Sequence, residues 1–246
     1  MIALLVVLAL LGAWQLYAEL GGVDRLILPA PSEIATALVD DRGLLWDNFL
    51  VTASEVALGI GAALLLGFAC AVALHFWLPL RRATYPLLIG SQAIPIVIVA
   101  PLLVVWLGFG MAPKVAIIAL ICFFPVAVTT LDALGRTDRD TLKLLRTLDA
   151  TRWSAFRFAE APAALPAALS GAKIAVAVAV IGAVFAEYAG SSEGLGHLIL
   201  QSVPQLETAR AWAAVVVLAA FAVLLFYALD VAQRRLLPWT RTEGRP

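Results

Sequence analysis

Apolar residues fall in long blocks along this chain, separated by shorter polar or turn-rich stretches. The blocks cover residues 2–18, 51–76, 85–107, 115–131, 167–186 and 211–229. Each is close to the ~20 apolar residues a helix needs to cross bilayer hydrocarbon. Within that solvent a helix satisfies its backbone inside one segment. The pattern therefore predicts an all-α, polytopic membrane protein of about six transmembrane helices. Blocks and loops together occupy residues 1–246, so a single transmembrane domain is expected, with no room for a soluble catalytic domain.

The first block is interrupted only by Gln15. No Lys or Arg precedes it and it is long for a signal-peptide core, so a retained first span is expected over a cleaved leader. Residues 21–48 are polar and turn-rich. Within them Leu28-Pro29-Ala30-Pro31-Ser32-Glu33 reads as a helix start, with Ser32 as cap and Glu33 in the first turn. Ile34, Ala37 and Leu38 then give the short apolar face of a helix lying on the membrane surface. Gly59, Gly61 and Gly67 in the second block suit close helix approach in lipid. Pro86, Pro95 and Pro101 in the third imply kinks, whose freed carbonyls need partners or a water-filled path. Residues 190–196 form a glycine-rich loop, a plain turn or a contact for an outside partner. No inverted internal repeat is visible.

Composition agrees with the block pattern. The chain is 63% hydrophobic and 14% charged, with mean hydropathy +0.97, whereas soluble domains carry about 25% charged residues. Net charge is zero, and its distribution is the informative part. With the N-terminus inside, the inner face holds twelve basic residues: Arg81, Arg82, Arg136, Arg139, Lys143, Arg146, Arg152, Arg157, Arg234, Arg235, Arg241 and Arg245. The outer face holds four, Arg25, Arg42, Lys114 and Arg210. This positive-inside bias puts both termini in the cytoplasm. Lys173, near the inner end of the fifth block, is placed to snorkel. Cys70 and Cys122 lie in apolar blocks and read as small buried hydrophobes. His75 and His197 sit near opposite faces, so no metal site is indicated.

Residues 132–166 separate two halves that otherwise have short loops, a length unusual for a connection without a task. Leu142, Leu145 and Leu148 recur at helical spacing, and Arg139, Lys143 and Arg146 form a basic stripe. The pattern breaks at Asp149-Ala150-Thr151 and resumes at Trp153, Phe156 and Arg157. Two amphipathic helices around a turn are expected, with Pro162 and Pro166 re-aiming the chain into the fifth span. A basic loop resting on lipid headgroups is the simpler alternative, and periodicity leaves both open.

Thr147-Leu148-Asp149-Ala150-Thr151-Arg152-Trp153, followed by Pro162-Ala163-Ala164-Leu165-Pro166, is similar to the cytoplasmic signature of binding-protein-dependent ATP-binding-cassette (ABC) importer permeases. Across residues 28–239 the chain resembles their nitrate/sulfonate/taurine branch. The matching features are the Leu28–Glu33 string, Pro101-Leu102 with Trp106-Leu107-Gly108-Phe109-Gly110, Phe123-Phe124-Pro125, Ala186-Glu187 and Gly194-Leu195-Gly196. The resemblance implies a type I importer permease core, MetI-like, working as a homodimer in the bacterial cytoplasmic (inner) membrane. A separate ATPase subunit would dock under Lys143, Arg146, Asp149, Ala150, Thr151, Arg152, Trp153, Phe156 and Arg157, and an extracytoplasmic binding protein would deliver the solute. The chain has no phosphate-cradling G-x-x-x-x-G-K-[ST], so it is expected not to be an enzyme and to hold no cofactor. ATP and magnesium would be used by the partner, and no nucleic-acid partner is expected. Two departures stand out: Lys143-Leu144-Leu145 replace the family's E-A-A, and Asp149 replaces its turn glycine. Asp is among the few residues that tolerate positive φ.

Ser91, Gln92 and Glu187 are candidates for the substrate path. Ser91 and Gln92 could equally serve interhelical hydrogen bonds, and Glu187 an outer gate, a subunit contact or the solvated interface. Glu55 reads as a boundary residue, while Thr129, Thr130 and Asp132 serve the cytoplasmic end of the fourth span. The runs Gly90-Ser91-Gln92-Ala93-Ile94-Pro95 and Ile181-Gly182-Ala183-Val184-Phe185-Ala186-Glu187 look most like permeases for thiamine-precursor pyrimidines of the hydroxymethylpyrimidine type. A path with Ser and Gln and no cationic pocket suits a neutral heteroaromatic better than a sulfonate, taurine or nitrate. Two further classes fit the sequence less well. An intramembrane hydrolase would have only Ser191 or Ser192 with His197, outside any G-x-S-x-G context. A proton-coupled carrier would place coupled acids mid-membrane, whereas Glu55 and Glu187 lie towards span ends.

Overall fold

The computed structural model describes residues 2–22, 24 and 26–237, so Arg25, Arg241 and Arg245 of the charge count lie outside the described residues. The described residues are helical, without strands, in the order α1 (Ile2–Leu20), α2 (Pro31–Asp40), α3 (Arg42–Phe76), α4 (Leu78–Ser91), α5 (Ile96–Leu107), α6 (Met111–Leu134), α7 (Arg139–Thr147), α8 (Arg152–Ala155), a π turn (Phe156–Glu160), α9 (Ala161–Gly190), α10 (Leu195–Ser202) and α11 (Thr208–Leu236).

Four of these are long and apolar enough to cross a membrane: α3, α6, the continuous helix Arg152–Gly190, and α11. The third expected span differs from a kinked rod. It is broken into α4 and α5, which meet at 103°. Pro95 is the cause, because it donates no amide and forces Ile94 out of the helical region. Pro86 and Pro101 lie inside α4 and α5 without breaking them. Counting the bent pair, the described residues give up to five crossings. The expected first span rests on a shorter apolar stretch, Leu5–Leu20 of α1. Gln15, which interrupts that stretch, bonds to Ser32: its amide donates to the Ser32 hydroxyl at 2.8 Å and its carbonyl accepts the Ser32 amide at 3.0 Å.

The cap of α2 is Ala30 rather than Ser32. Glu33 reaches back to accept the Ala30 amide at 3.0 Å, and Pro31 fills the first turn where no donor is needed. Ile34 then packs against Leu45, Leu195, Leu198 and Leu218, pinning α2 across α3, α10 and α11.

The centre of the molecule is α6, clasped between α3 and α9. Ile118, Cys122 and Val126 are fully buried against Val56 and Ala63 of α3 and Ala175, Ala179 and Ala183 of α9. Small residues permit this approach. A Cβ at Gly59 would lie 2.4 Å from the Ile118 side chain, and one at Gly171 only 1.8 Å from Thr129 Oγ1. Gly67 also faces α6, whereas Gly61 has open space around it. Cys122 sits in this core with its thiol donating to the Ala175 carbonyl at 3.2 Å; Cys70 is half-buried.

Candidate functional site

The segment 138–158 is built from its caps outward. Asp138 opens α7 by accepting the amides of Asp140 (3.2 Å) and Thr141 (3.1 Å) and the Thr141 hydroxyl (2.9 Å). The Asp140 amide, then the Thr141 hydroxyl and amide, favour the ionised carboxyl and hold it below its ordinary pKa. At the other end, the Asp149 amide donates to Arg146 and the Ala150 amide to Leu145, at 3.1 and 3.0 Å. These two bonds close a Schellman motif whose left-handed residue is Asp149, at φ +55°. The turn thus keeps a glycine-like conformation without glycine. Thr151 starts the next helix by accepting the Ser154 amide at 3.2 Å.

That next helix is not a separate amphipathic element. Arg152–Gly190 is one continuous helix, so Trp153 stands on the first turn of the fifth span itself. Pro162 lacks the amide that would bond to Phe158. The chain accommodates this with the π turn Phe156–Glu160, closed by the Ala161 amide on the Phe156 carbonyl. Pro162 and Pro166 therefore continue the helix instead of redirecting it.

The start of this helix is packed on the C-terminal end of α3. Phe156 is buried, 5.0 Å from the Phe76 ring and 5.3 Å from Trp153 between centroids. Arg152 lies over the Phe76 ring at 5.1 Å and donates to the His75 carbonyl at 3.2 Å. The His75 ring meets Glu160 at 2.7 Å. His75, Leu142, Arg146, Ala150, Arg152 and Glu160 surround a cavity of about 370 Å³ behind α7. Sequence reasoning missed His75, Phe76 and Glu160, because nothing in their spacing joins residues so far apart in the chain. The Asp138 cap was legible as an Asp just ahead of a helical pattern.

The outward side of the segment is apolar and basic. Leu144, Leu148, Trp153 and Phe158 are 61, 70, 59 and 72% exposed. Lys143 is exposed and pairs with Asp140 at 2.7 Å, a surface contact of little energetic weight. Arg157 lies over the Phe158 ring at 5.7 Å. Exposed large hydrophobics beside polar neighbours mark a surface suited to a protein partner or to the membrane interface.

Several polar residues have other places than the sequence suggested. Glu55 is no boundary residue: its side chain is fully buried and pairs with Lys114 at 2.6 Å. Lys114, counted among outer-face charges, is correspondingly buried. Glu187 does not face a path. It is 1% exposed, accepts the Thr52 hydroxyl at 2.6 Å, and takes the amides of Gly196 and His197 from the first turn of α10. Gly194, at φ +110°, brings the loop over it, and a Cβ there would sit 2.3 Å from the Glu187 carboxyl. The glycine-rich loop is thus a clamp on Glu187. Lys173 is paired with Asp230, which also binds Arg234 at 2.8 Å. Towards the C-terminal end of α6, Thr129 donates to the Pro125 carbonyl at 2.6 Å and Asp132 accepts the Tyr85 hydroxyl at 3.2 Å. Ser91 and Gln92 stand at the α4–α5 break, apart from Glu187.

Comparison with known proteins places this arrangement. Residues 63–242 match the family model described as binding-protein-dependent transport system inner membrane component. A probable ABC transporter permease protein of Haemophilus influenzae is 38% identical over 227 residues, 92% of this chain and 93% of its own length. The formylaminopyrimidine transport permease protein ThiX of Halalkalibacterium halodurans is 34% identical over 238 residues, covering 96 and 94% of the two chains. A chain of the inward-facing MetNI methionine ABC transporter superposes with TM-score 0.70 at 19% identity, over 80% of this chain and 97% of that one, and so shares the fold. The family match, the two near-full-length relatives and the MetI-like fold agree: the chain is membrane-embedded and belongs to the binding-protein-dependent transport system inner membrane components, the permease subunits of ABC importers.

Proposed function

We propose that this permease works as a homodimer in the bacterial inner membrane, with both termini cytoplasmic. A separate ATPase docks on residues 138–158, and an extracytoplasmic binding protein delivers the solute. The observation that carries the docking assignment is the built turn around Asp149. It holds Leu144, Leu148 and Trp153 in the open beside Arg146 and Arg152, on a segment continuous with a membrane span. A partner that displaces Trp153 displaces the fifth span directly.

The solute is a small neutral pyrimidine of the hydroxymethylpyrimidine type. The supporting points are the resemblance of residues 90–95 and 181–187 and the name of the relative from Halalkalibacterium halodurans. Arg152→Ala and Trp153→Ala test the docking: both should insert normally while losing ATPase co-purification and uptake, and normal values for both would refute it. Substrate class is tested with proteoliposomes holding the whole complex. Unlabelled hydroxymethylpyrimidine should suppress ATP-dependent uptake of labelled hydroxymethylpyrimidine and taurine should not; the reverse preference would refute the pyrimidine reading.

A further inference from the structure

The break between α4 and α5 leaves backbone polar groups open at membrane depth. The amides of Gln92, Ala93 and Ile94 turn back onto the carbonyls of Ile89, Gly90 and Ser91 at 3.2, 3.1 and 3.2 Å. The carbonyls of Gln92, Ala93 and Ile94 and the amides of Ile96 and Val97 find no partner among the described residues. Gln92, Ala93, Ile94 and Pro95 are all exposed. The break faces Ile121 and Phe124, which lie halfway along α6 (Met111–Leu134), so it sits deep between the two membrane surfaces. Open backbone is not tolerated against lipid tails; at that depth it must line water or be covered by protein.

Side chains favour water. Ser91, Gln92, Ile94, Pro95, Ile121 and Phe124 border a cavity of about 460 Å³, whose lining includes no charged residue. Gln92 brings both a donor and an acceptor, the free carbonyls and amides supply more of each, and Phe124 adds a flat apolar ring. Discontinuous helices at the midplane are a known way to present such groups to a solute.

We infer that the α4–α5 break lines the aqueous translocation path and is a station where an uncharged, planar, hydrogen-bonding heterocycle rests in transit. Gln92 and the free backbone groups meet its polar edge, and Phe124 meets its ring face. The absence of charge lets the solute leave as readily as it enters. This assignment rests on the importer reading above and adds to it a place and a ligand chemistry.

The test uses the assembled transporter in proteoliposomes, with Cys70→Ala and Cys122→Ala as background. Gln92→Cys and Ile94→Cys are compared with Leu65→Cys, an exposed position within the apolar run of α3. Labelling by a membrane-impermeant thiol reagent should be at least about tenfold faster at the break than at Leu65, and hydroxymethylpyrimidine with ATP should slow it. Labelling as slow as at Leu65 would overturn the aqueous assignment. Fast labelling that hydroxymethylpyrimidine leaves unchanged, in a variant still importing it, would overturn the station. Failure of the importer reading itself shows separately, as no ATP-dependent uptake by the unmodified complex.

Discussion

Replacing Lys114 with Met should strongly destabilise the membrane domain. Lys114 Nζ lies 2.6 Å from Glu55 Oε1, with 10 and 0% of the two side chains exposed. Glu187, also buried, lies close enough to interact with both. Removing the ammonium leaves two carboxylates facing one another with no cation between them. Breaking a buried pair from one side costs about 3–5 kcal/mol, because the surviving charge stays desolvated. An ordinary interhelical hydrogen bond in lipid contributes only about 0.6 kcal/mol. The two magnitudes differ enough to be separated. Reversible unfolding of the purified protein in mixed micelles, followed by tryptophan fluorescence, gives the free energies. A cycle of Lys114→Met, Glu55→Leu and the double variant isolates the coupling. The single variants should each be strongly destabilised and the double variant largely restored, since two apolar side chains of similar bulk need no partner. A coupling below about 1 kcal/mol would place the pair among ordinary interhelical contacts and refute the reasoning.

Three further outcomes are expected. Gly171→Ala forces α6 and α9 apart against Thr129 and the Pro125 carbonyl and should cost about 1–3 kcal/mol in the same titration, whereas Gly61→Ala meets nothing within 4 Å and should be neutral or gain up to about 1 kcal/mol. Asp149→Gly should preserve ATPase co-purification because φ +55° suits glycine, while Asp149→Val, β-branched in the left-handed region, should lower it. Asp138→Ala should raise hydrogen exchange at the start of α7. Because Asp138 titrates below its ordinary 3.8 when folded, its contribution is complete above that pH and is lost as pH falls through the lowered value; protection of the Asp140 and Thr141 amides, relative to their intrinsic exchange at each pH, should therefore fall only in acid.

What could be read in advance was what depends on local pattern. Block hydrophobicity located the four long apolar helices, and the leucine spacing found α7 together with its turn at Asp149. What failed depended on a partner distant in sequence. Glu55 resembles a boundary carboxylate until Lys114 arrives from another helix, and Glu187 resembles a gate residue until Gly194–His197 folds over it. Pro95, Pro86 and Pro101 look alike in the third block, yet only Pro95 breaks it. The continuity of the fifth span was hidden by Pro162, since a π turn carries a helix past a proline without any composition that announces it.

That continuity decides how motion at the start of α8 would be passed on. At about 1.5 Å per residue, the 39 residues of Arg152–Gly190 form one helix longer than the bilayer core is thick. Its N-terminal end is tied to α3 by His75–Glu160 and by Arg152 on the His75 carbonyl, and its C-terminal end to α3 by Thr52–Glu187. Between them, α6 is held to α3 by Glu55–Lys114 and to both neighbours by packing too close to admit a methyl group at Gly59 or Gly171. A displacement applied at Trp153 would therefore carry α3, α6 and α9 together rather than bend one of them. By contrast, α4 and α5 meet this unit through smaller clusters, Tyr85 and Leu88 around Leu74 and Leu131, and Ala100 with Ile117 and Ala186. The joint between the rigid unit and the weakly held pair runs through the break at Gln92–Pro95. A stroke at the proposed docking segment would thus act on the break, where amides and carbonyls lack partners among the described residues.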